Sequence, residues 1–215
     1  MKKITKIEYQ KNNKDRVNIY LNDEFGFGLD LNIMIKYSLS KNMELDDEFI
    51  SEILIAEDKN KAYNYAISIL SRRAKSEKEL RLKMSQKGYE NEYIDFTIDK
   101  LKQNKYIDDS DYSERFILDK LNFSKYGKLK IREALYNKGI DKQIIDEKLI
   151  LISSEDEFKR SYELAEKKLK SLSKLDSQKK RIKLYNFLIN KGFEYDTVKK
   201  VVSELLKEEY NGFDD

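Results

Sequence analysis

The 215-residue sequence contains no cysteine, no histidine, no tryptophan and no proline. Without cysteine there is no disulfide framework and no thiolate zinc site, which fits a reducing cytoplasm. Without histidine and cysteine, the common nucleophile–base pairs and most transition-metal sites cannot be built from this chain alone. Carboxylate-only chemistry with magnesium survives that exclusion. Nothing approaches the ~18 consecutive apolar residues that cross a bilayer. The opening MKKITKIEYQKNNK is followed by no apolar run of signal-peptide length. The expectation is a soluble, cytoplasmic protein with no membrane partner, no metal and no cofactor. With no proline to interrupt them, its helices can run unbroken.

What the chain does have is charge. Charged residues make up 39% of it and hydrophobic residues only 40%, a large surface for the enclosed volume, so an elongated or modular shape is expected. The net charge of +3 conceals a segmental imbalance. Residues 1–55 carry 8 Lys/Arg against 10 Asp/Glu, whereas residues 59–107 carry 12 against 6. Partner chemistry therefore depends on local patches rather than on the overall balance.

Near-alternate apolar residues in Lys2–Gln10 and Arg16–Leu21, with turn chemistry at Asn12–Asp15 and Asn22–Glu24, predict a two- or three-stranded antiparallel unit that includes Phe25–Leu29. Such a unit needs a helix to pack on, and Leu31–Tyr37 is the candidate. Glu44–Ile55 is expected to be helical. From residue 56 the period becomes 3.6, as in Ala62, Tyr65, Ala66, Ile69 and Leu70. Ser76 and Glu79 form a capping box that opens the next helix.

A three-helix pattern then recurs. Lys87-Gly88-Tyr89, Lys138-Gly139-Ile140 and Lys191-Gly192-Phe193 are spaced 51 and 53 residues apart. Each Gly is preceded at four residues by Met84, Leu135 or Leu188 and at eight by Leu80, Ile131 or Leu184. Each is followed by Ile94, Ile145 or Val198, then Ile98, Leu149 or Val202, then Leu101, Ile152 or Leu205. A Gly just past a helix end takes the left-handed conformation, and the apolar residue after it packs back on the helix. The predicted architecture is mainly α: tandem three-helix repeats in an elongated, curved array, behind a small N-terminal β unit. The expected divisions are 1–55, 56–107, 108–153 and 154–215.

Positive charge gathers near the second helix of each repeat. Residues 70–87 hold Arg72, Arg73, Lys75, Lys78, Arg81, Lys83 and Lys87; residues 124–142 hold Lys125, Lys128, Lys130, Arg132, Lys138 and Lys142. Residues 167–183 hold eight more, from Lys167 to Lys183. Aligned by stacking, these would make a stripe suited to a polyanion, although lysine-rich solvated helix faces are ordinary. Asp108, Asp109, Asp111 and Glu114 are the one carboxylate group that could hold a hard cation, but their place before a helix favours capping. Phe25-Gly26-Phe27-Gly28 lacks the rest of a phosphate loop. Most of the aromatics, including Tyr65, Phe96, Phe116 and Phe187, fall on apolar helical faces; Tyr126, beside Lys125 and Lys128, stays open as a base-stacking residue.

The run Ala66–Leu80, with Leu-Ser-x-Arg followed by Ser-x-x-Glu-Leu, resembles the first-repeat motif of the RecX family. The likeness continues through Lys87-Gly88-Tyr89, Tyr106-Ile107-Asp108-Asp109, Tyr126-Gly127, Lys130-Ile131, Leu135 and Lys138-Gly139-Ile140. Met84 stands where Leu is usual and Ser113 where Ala is usual, and in the third repeat a basic run replaces the motif. The resemblance implies a non-enzymatic regulator that binds the RecA filament on DNA and mostly inhibits its ATPase and strand exchange in recombination, DNA repair and the SOS response. Direct contact with single- or double-stranded DNA is an implied possibility, and a monomer is expected. The implied RecA or DNA contacts are Arg72, Arg73, Lys75, Lys78, Lys83, Lys125, Lys128, Lys130 and Arg132. The expected structural caps are Ser76, Glu79, Gly88, Asp108, Asp109, Gly139 and Gly192. Two other readings remain: a RecA-independent helical-repeat nucleic-acid binder, and a protein–protein adaptor.

Overall fold

The computed structural model describes residues 1–211, with side chains through Lys207. Its first elements are β1 (Lys2–Gln10), β2 (Asn13–Leu21) and β3 (Glu24–Asp30), an antiparallel meander. Val17 pairs with Leu29 and Ile19 with Phe27, which sets their side chains on one face; all four are buried, as is Ile4. Asn22 and Asp23, both at positive φ (49° and 68°), make the two-residue turn that suits a twisted hairpin. The sheet has four strands rather than the two or three expected: β4 (Glu44–Leu45) pairs with Lys2 and Lys3 of β1. Two residues are too few for alternation to reveal.

Helix α1 (Leu31–Lys36) starts at Asp30, whose carboxylate accepts from Asn32 N–H. Helix α2 (Asp47–Leu70) starts at Asp46, which accepts from Phe49 N–H at 2.7 Å. Ile33, Leu39, Leu45 and Ile53 close the sheet's inner face. Glu57, only 1% exposed, holds the layers together: it accepts from Asp30 N–H at 2.8 Å and pairs with Arg16 at 2.8 Å. The division expected at residue 55 falls inside α2. No helix breaker separates Asp47 from Leu70, so the sheet's supporting helix continues as the first helix of the first repeat.

The remaining elements are α3 (Glu77–Gln86), α4 (Asn91–Gln103), α5 (Asp109–Asp119) with a π-helical turn (Lys120–Ser124), α6 (Lys128–Asn137), α7 (Lys142–Leu149), α8 (Ser154–Lys170), α9 (Ser177–Asn190) and α10 (Tyr195–Asn211). Every apolar position picked out by its offset from a repeat glycine is buried. Each glycine ends its helix in the same way. Tyr89, Ile140 and Phe193 N–H donate to Met84, Leu135 and Leu188 C=O, each at 3.2 Å. Gly88, Gly139 and Gly192 N–H donate to Ser85, Tyr136 and Ile189 C=O at 2.8–2.9 Å. Their φ angles are 94°, 78° and 84°, the left-handed conformation of a Schellman ending.

Contacts divide the chain into two units, residues 1–74 with 80–106 and residues 75–79 with 107–215. The first holds the sheet, α1, α2 and α4. The second has two apolar centres. One comprises Ile117, Ile131, Leu135, Ile140, Ile145, Leu149 and Ile152; the other includes Ala165, Leu184, Leu188, Phe193, Val198 and Val202.

Candidate functional site

The basic residues divide into those with internal partners and those without. In the first unit, Arg72 and Arg73 lie exposed in the turn after α2, where their N–H groups bond to Ile69 C=O. Lys83 is exposed on α3. In the second unit, Lys125 is exposed, at φ 54°, where the π-helical turn ends.

The other candidates are held by the fold. Lys75 faces Glu79 at 4.0 Å with its side chain 23% exposed. Lys78 keeps an exposed head, but its stem covers Gly139, where an added Cβ would strike Lys78 Cβ and Cδ. Lys128 approaches the buried Glu157 at 3.6 Å. Lys130 Nζ donates to Asn190 C=O at 3.0 Å, near the end of α9, and lies 4.8 Å from the Tyr126 ring centre. Arg132 pairs with Asp146, joining α6 to α7. In the first repeat Arg81 pairs with Asp95 in the same register, seven residues either side of the glycine. The third repeat places Tyr185 and Lys199 there. That symmetry was readable in the sequence as opposite charges equidistant from Gly88 and from Gly139.

The second unit contains two joints built on one plan, each at the start of a repeat's middle helix. At the start of α3, Ser76 N–H donates to Glu79 Oε2 and Glu79 N–H donates to Ser76 Oγ, both at 3.3 Å. Ser76 Oγ also donates to Lys138 C=O at 2.7 Å, and Lys138 Nζ to Glu79 at 2.8 Å. Asp109 accepts from Glu77 N–H at 2.9 Å, so it caps α3 rather than its own helix; Asp108 caps α5 by accepting from Ser110 and Asp111 N–H. At the start of α6, Gly127 N–H donates to Lys191 C=O at 2.8 Å and Leu129 N–H to Gly192 C=O at 3.0 Å. Glu157 accepts from Lys128 N–H at 2.9 Å. In both joints a carboxylate from the following repeat accepts a backbone N–H that the helix start leaves free. That repeat's Lys-Gly turn offers carbonyls, to the Ser76 hydroxyl in the first joint and to the Gly127 and Leu129 N–H groups in the second.

Electrostatics follow from this packing. Burial raises the Glu79 carboxyl pKa, but Lys138 and the Ser76 N–H outweigh it, and the net displacement is downward. Burial works against the Lys138 ammonium, yet Glu79 and Tyr112 hold its pKa above the ordinary lysine value. Glu157 goes the other way: burial raises its pKa and the Lys128 contacts offset only part of that.

The four acidic residues weighed for a metal all have other work. Besides Asp108 and Asp109, Asp111 pairs with Arg115 at 2.7 Å and Glu114 with Lys148 at 2.9 Å. Among the described residues no group of three or more acidic side chains is placed to hold a metal ion, and no helix is long and apolar enough to cross a membrane. Tyr126, kept open for base stacking, has Lys130 and Lys191 over its ring at 4.8 and 5.4 Å. Phe96, expected in the core, is 38% exposed and lies under Lys59 and Lys100.

Family models match this arrangement in order along the chain. Residues 2–46 match the regulatory protein RecX N-terminal domain, and 62–101, 108–149 and 155–202 match the first, second and third RecX three-helix domains. Regulatory protein RecX of Clostridium botulinum (strain Alaska E43) is 38% identical over 212 residues, covering 98% of this chain and 99% of its own. That of Clostridioides difficile (strain 630) is 38% identical over 209 residues, 97% of this chain and 98% of its own. The chain belongs to the RecX family.

Solved RecX structures agree with the fold. A crystal structure of regulatory protein RecX superposes with a TM-score of 0.79 at 28% identity, covering 94% of this chain and 98% of the other. RecX from Lactobacillus salivarius gives 0.65 at 32% identity, covering 70% of this chain and 97% of the other. The RecX relatives are named as regulatory proteins.

Proposed function

We propose that this RecX protein is a cytoplasmic, non-catalytic regulator that binds the RecA recombinase filament on DNA and lowers its ATPase and strand-exchange activity. The observation that carries this reading is the full-length match to the family: the N-terminal sheet and all three helical repeats are present in order. The exposed Arg72 and Arg73 are the foremost contacts, because their side chains hold no partner among the described residues. Lys83, Lys125 and the head of Lys78 are further contacts of the same kind. Lys75, Lys128 and Lys130 serve the joints first and Arg132 ties α6 to α7, so their substitution would disturb folding together with binding.

The test is RecA ATPase on single-stranded DNA, using RecA from the same organism and substoichiometric amounts of this protein. Inhibition well below one protein per RecA is expected. Reversing Arg72 and Arg73 to Glu should abolish it while leaving the melting curve in place; full inhibition by that variant would remove the arginine pair from the contact. The exposed basic residues also favour a second reading, a nucleic-acid binder acting without RecA. That reading requires salt-sensitive DNA binding and no effect on RecA beyond competition for DNA.

A further inference from the structure

An open apolar groove and a guanidinium with two unbonded nitrogens meet in the second unit. The groove lies among α5, α7 and α8 and has a volume of about 250 Å³. Ile117, Leu118, Leu121, Leu151 and Ile152 form its walls. Leu118 is 53% exposed and Leu151 77%, and the adjoining Ile150 is 79% exposed. Large aliphatic side chains gathered this openly beside a concavity mark an association surface rather than a solvated face.

The polar rim supplies the second observation. Glu114 and Lys148 pair with each other at 2.9 Å. Asp156 accepts from Ser153 Oγ at 2.7 Å, within the start of α8. Arg160 completes the lining, and its Nε and Nη2 are both buried with no hydrogen-bond partner. Those two nitrogens form the edge of a guanidinium that takes a carboxylate through two parallel hydrogen bonds. A dry guanidinium edge without an acceptor is unfavourable, and an arriving carboxylate would relieve it.

We propose that this groove docks a segment of the partner protein that carries a large aliphatic side chain beside a carboxylate. The aliphatic group would lie between Leu118 and Leu151, and the carboxylate would meet the Nε–Nη2 edge of Arg160 as that side chain turns toward the groove. Resting on the RecA reading, the proposal places that segment on the protein of the filament rather than on its DNA. Apolar walls reward a hydrocarbon side chain and offer nothing to a phosphate backbone, which decides between the two.

The experiment uses the full chain and the RecA filament on single-stranded DNA. Arg160→Met removes the charge at similar volume, and Leu151→Ser removes an exposed wall. Each is expected to weaken filament binding by about tenfold or more, as loss of a buried anchor does. Arg160→Met should not lower the melting temperature, since it removes two buried donors that have no acceptor; a merely structural arginine would lower it. If the unaltered protein fails to bind the filament, the RecA reading falls and this proposal with it. If the unaltered protein binds and both variants bind within about twofold of it, the groove is not the docking site and the RecA reading stands. Loss confined to binding of free DNA, or to self-association seen by sedimentation, would also overturn the proposal.

Discussion

Three glycines show how one residue type answers different physical demands. Gly139 has φ 78°, and a Cβ there would strike the Lys78 stem. Gly88 has φ 94° but open space around it. Gly127 has an ordinary φ of −81°, yet a Cβ would run into the backbone of Gly192 and Phe193. Alanine at Gly88 should cost about 1 kcal/mol, the penalty of a side chain in the left-handed region. At Gly139 the displaced lysine stem adds to that. At Gly127 the obstacle is backbone, which cannot turn aside, and a cost of roughly 1–3 kcal/mol or more is expected. Denaturant melts of the three variants should rank Gly127→Ala worst and Gly88→Ala mildest. Equal losses would refute the close approach.

At the scale of elements, helix ends are where the repeats meet. The first turn of α3 uses Glu79 twice, as capping-box partner of Ser76 and as ion-pair partner of Lys138. Because the folded carboxyl titrates below its ordinary range, the pair contributes stability that is fully present above the unfolded pKa. That contribution is lost as pH falls through the folded pKa. Glu79→Gln should therefore cost roughly 1–2 kcal/mol near neutral pH, discounted for partial exposure, and little once the pH has fallen through the lowered folded pKa, where the native carboxyl is protonated as well. Melting temperatures across that range check it. A loss independent of pH would mean that shape, not charge, matters there. Glu157 has the opposite sign: its raised pKa means that acidification through the folded value relieves a buried charge.

Across the molecule, the second unit gains order from repeats that finish one another's helices. Three donors at the start of α6, the N–H groups of Gly127, Lys128 and Leu129, find their acceptors on Lys191, Glu157 and Gly192 of the third repeat. A helix start is normally among the first places to exchange, since its donors face water. These three amides are expected to exchange slowly in the intact chain. Glu157→Ala should speed exchange at Lys128 most, whereas Glu157→Gln, which keeps a carbonyl oxygen in place, should preserve much of the protection. Fast exchange at all three in the unaltered protein would show that the joint opens freely in solution. The same logic bears on function. The cations that tie repeats together are engaged within the fold, so on the proposed reading the contacts to test are the exposed Arg72 and Arg73 and the groove at Arg160.

The sequence by itself determined the elements and their recurrence. A 3.6-residue apolar period, a capping box and a lysine–glycine ending are local matters, settled by backbone angles and by neighbours within a turn. For that reason the helix ends at Gly88, Gly139 and Gly192 and the buried positions around them were legible, as was the family motif between Ala66 and Ile140. The tertiary structure alone decided which charges are free. Lys138 finds Glu79 across 59 residues and Lys130 finds Asn190 across 60, and no spacing rule links such positions. It decided that Asp109 caps α3, that β4 completes the sheet, and that Gly127 must lack a side chain because another backbone lies against it. It also left two nitrogens of Arg160 buried without an acceptor beside an open groove. Charge pairing and close approach depend on distance through space, and a chain fixes that distance only once its helices have packed.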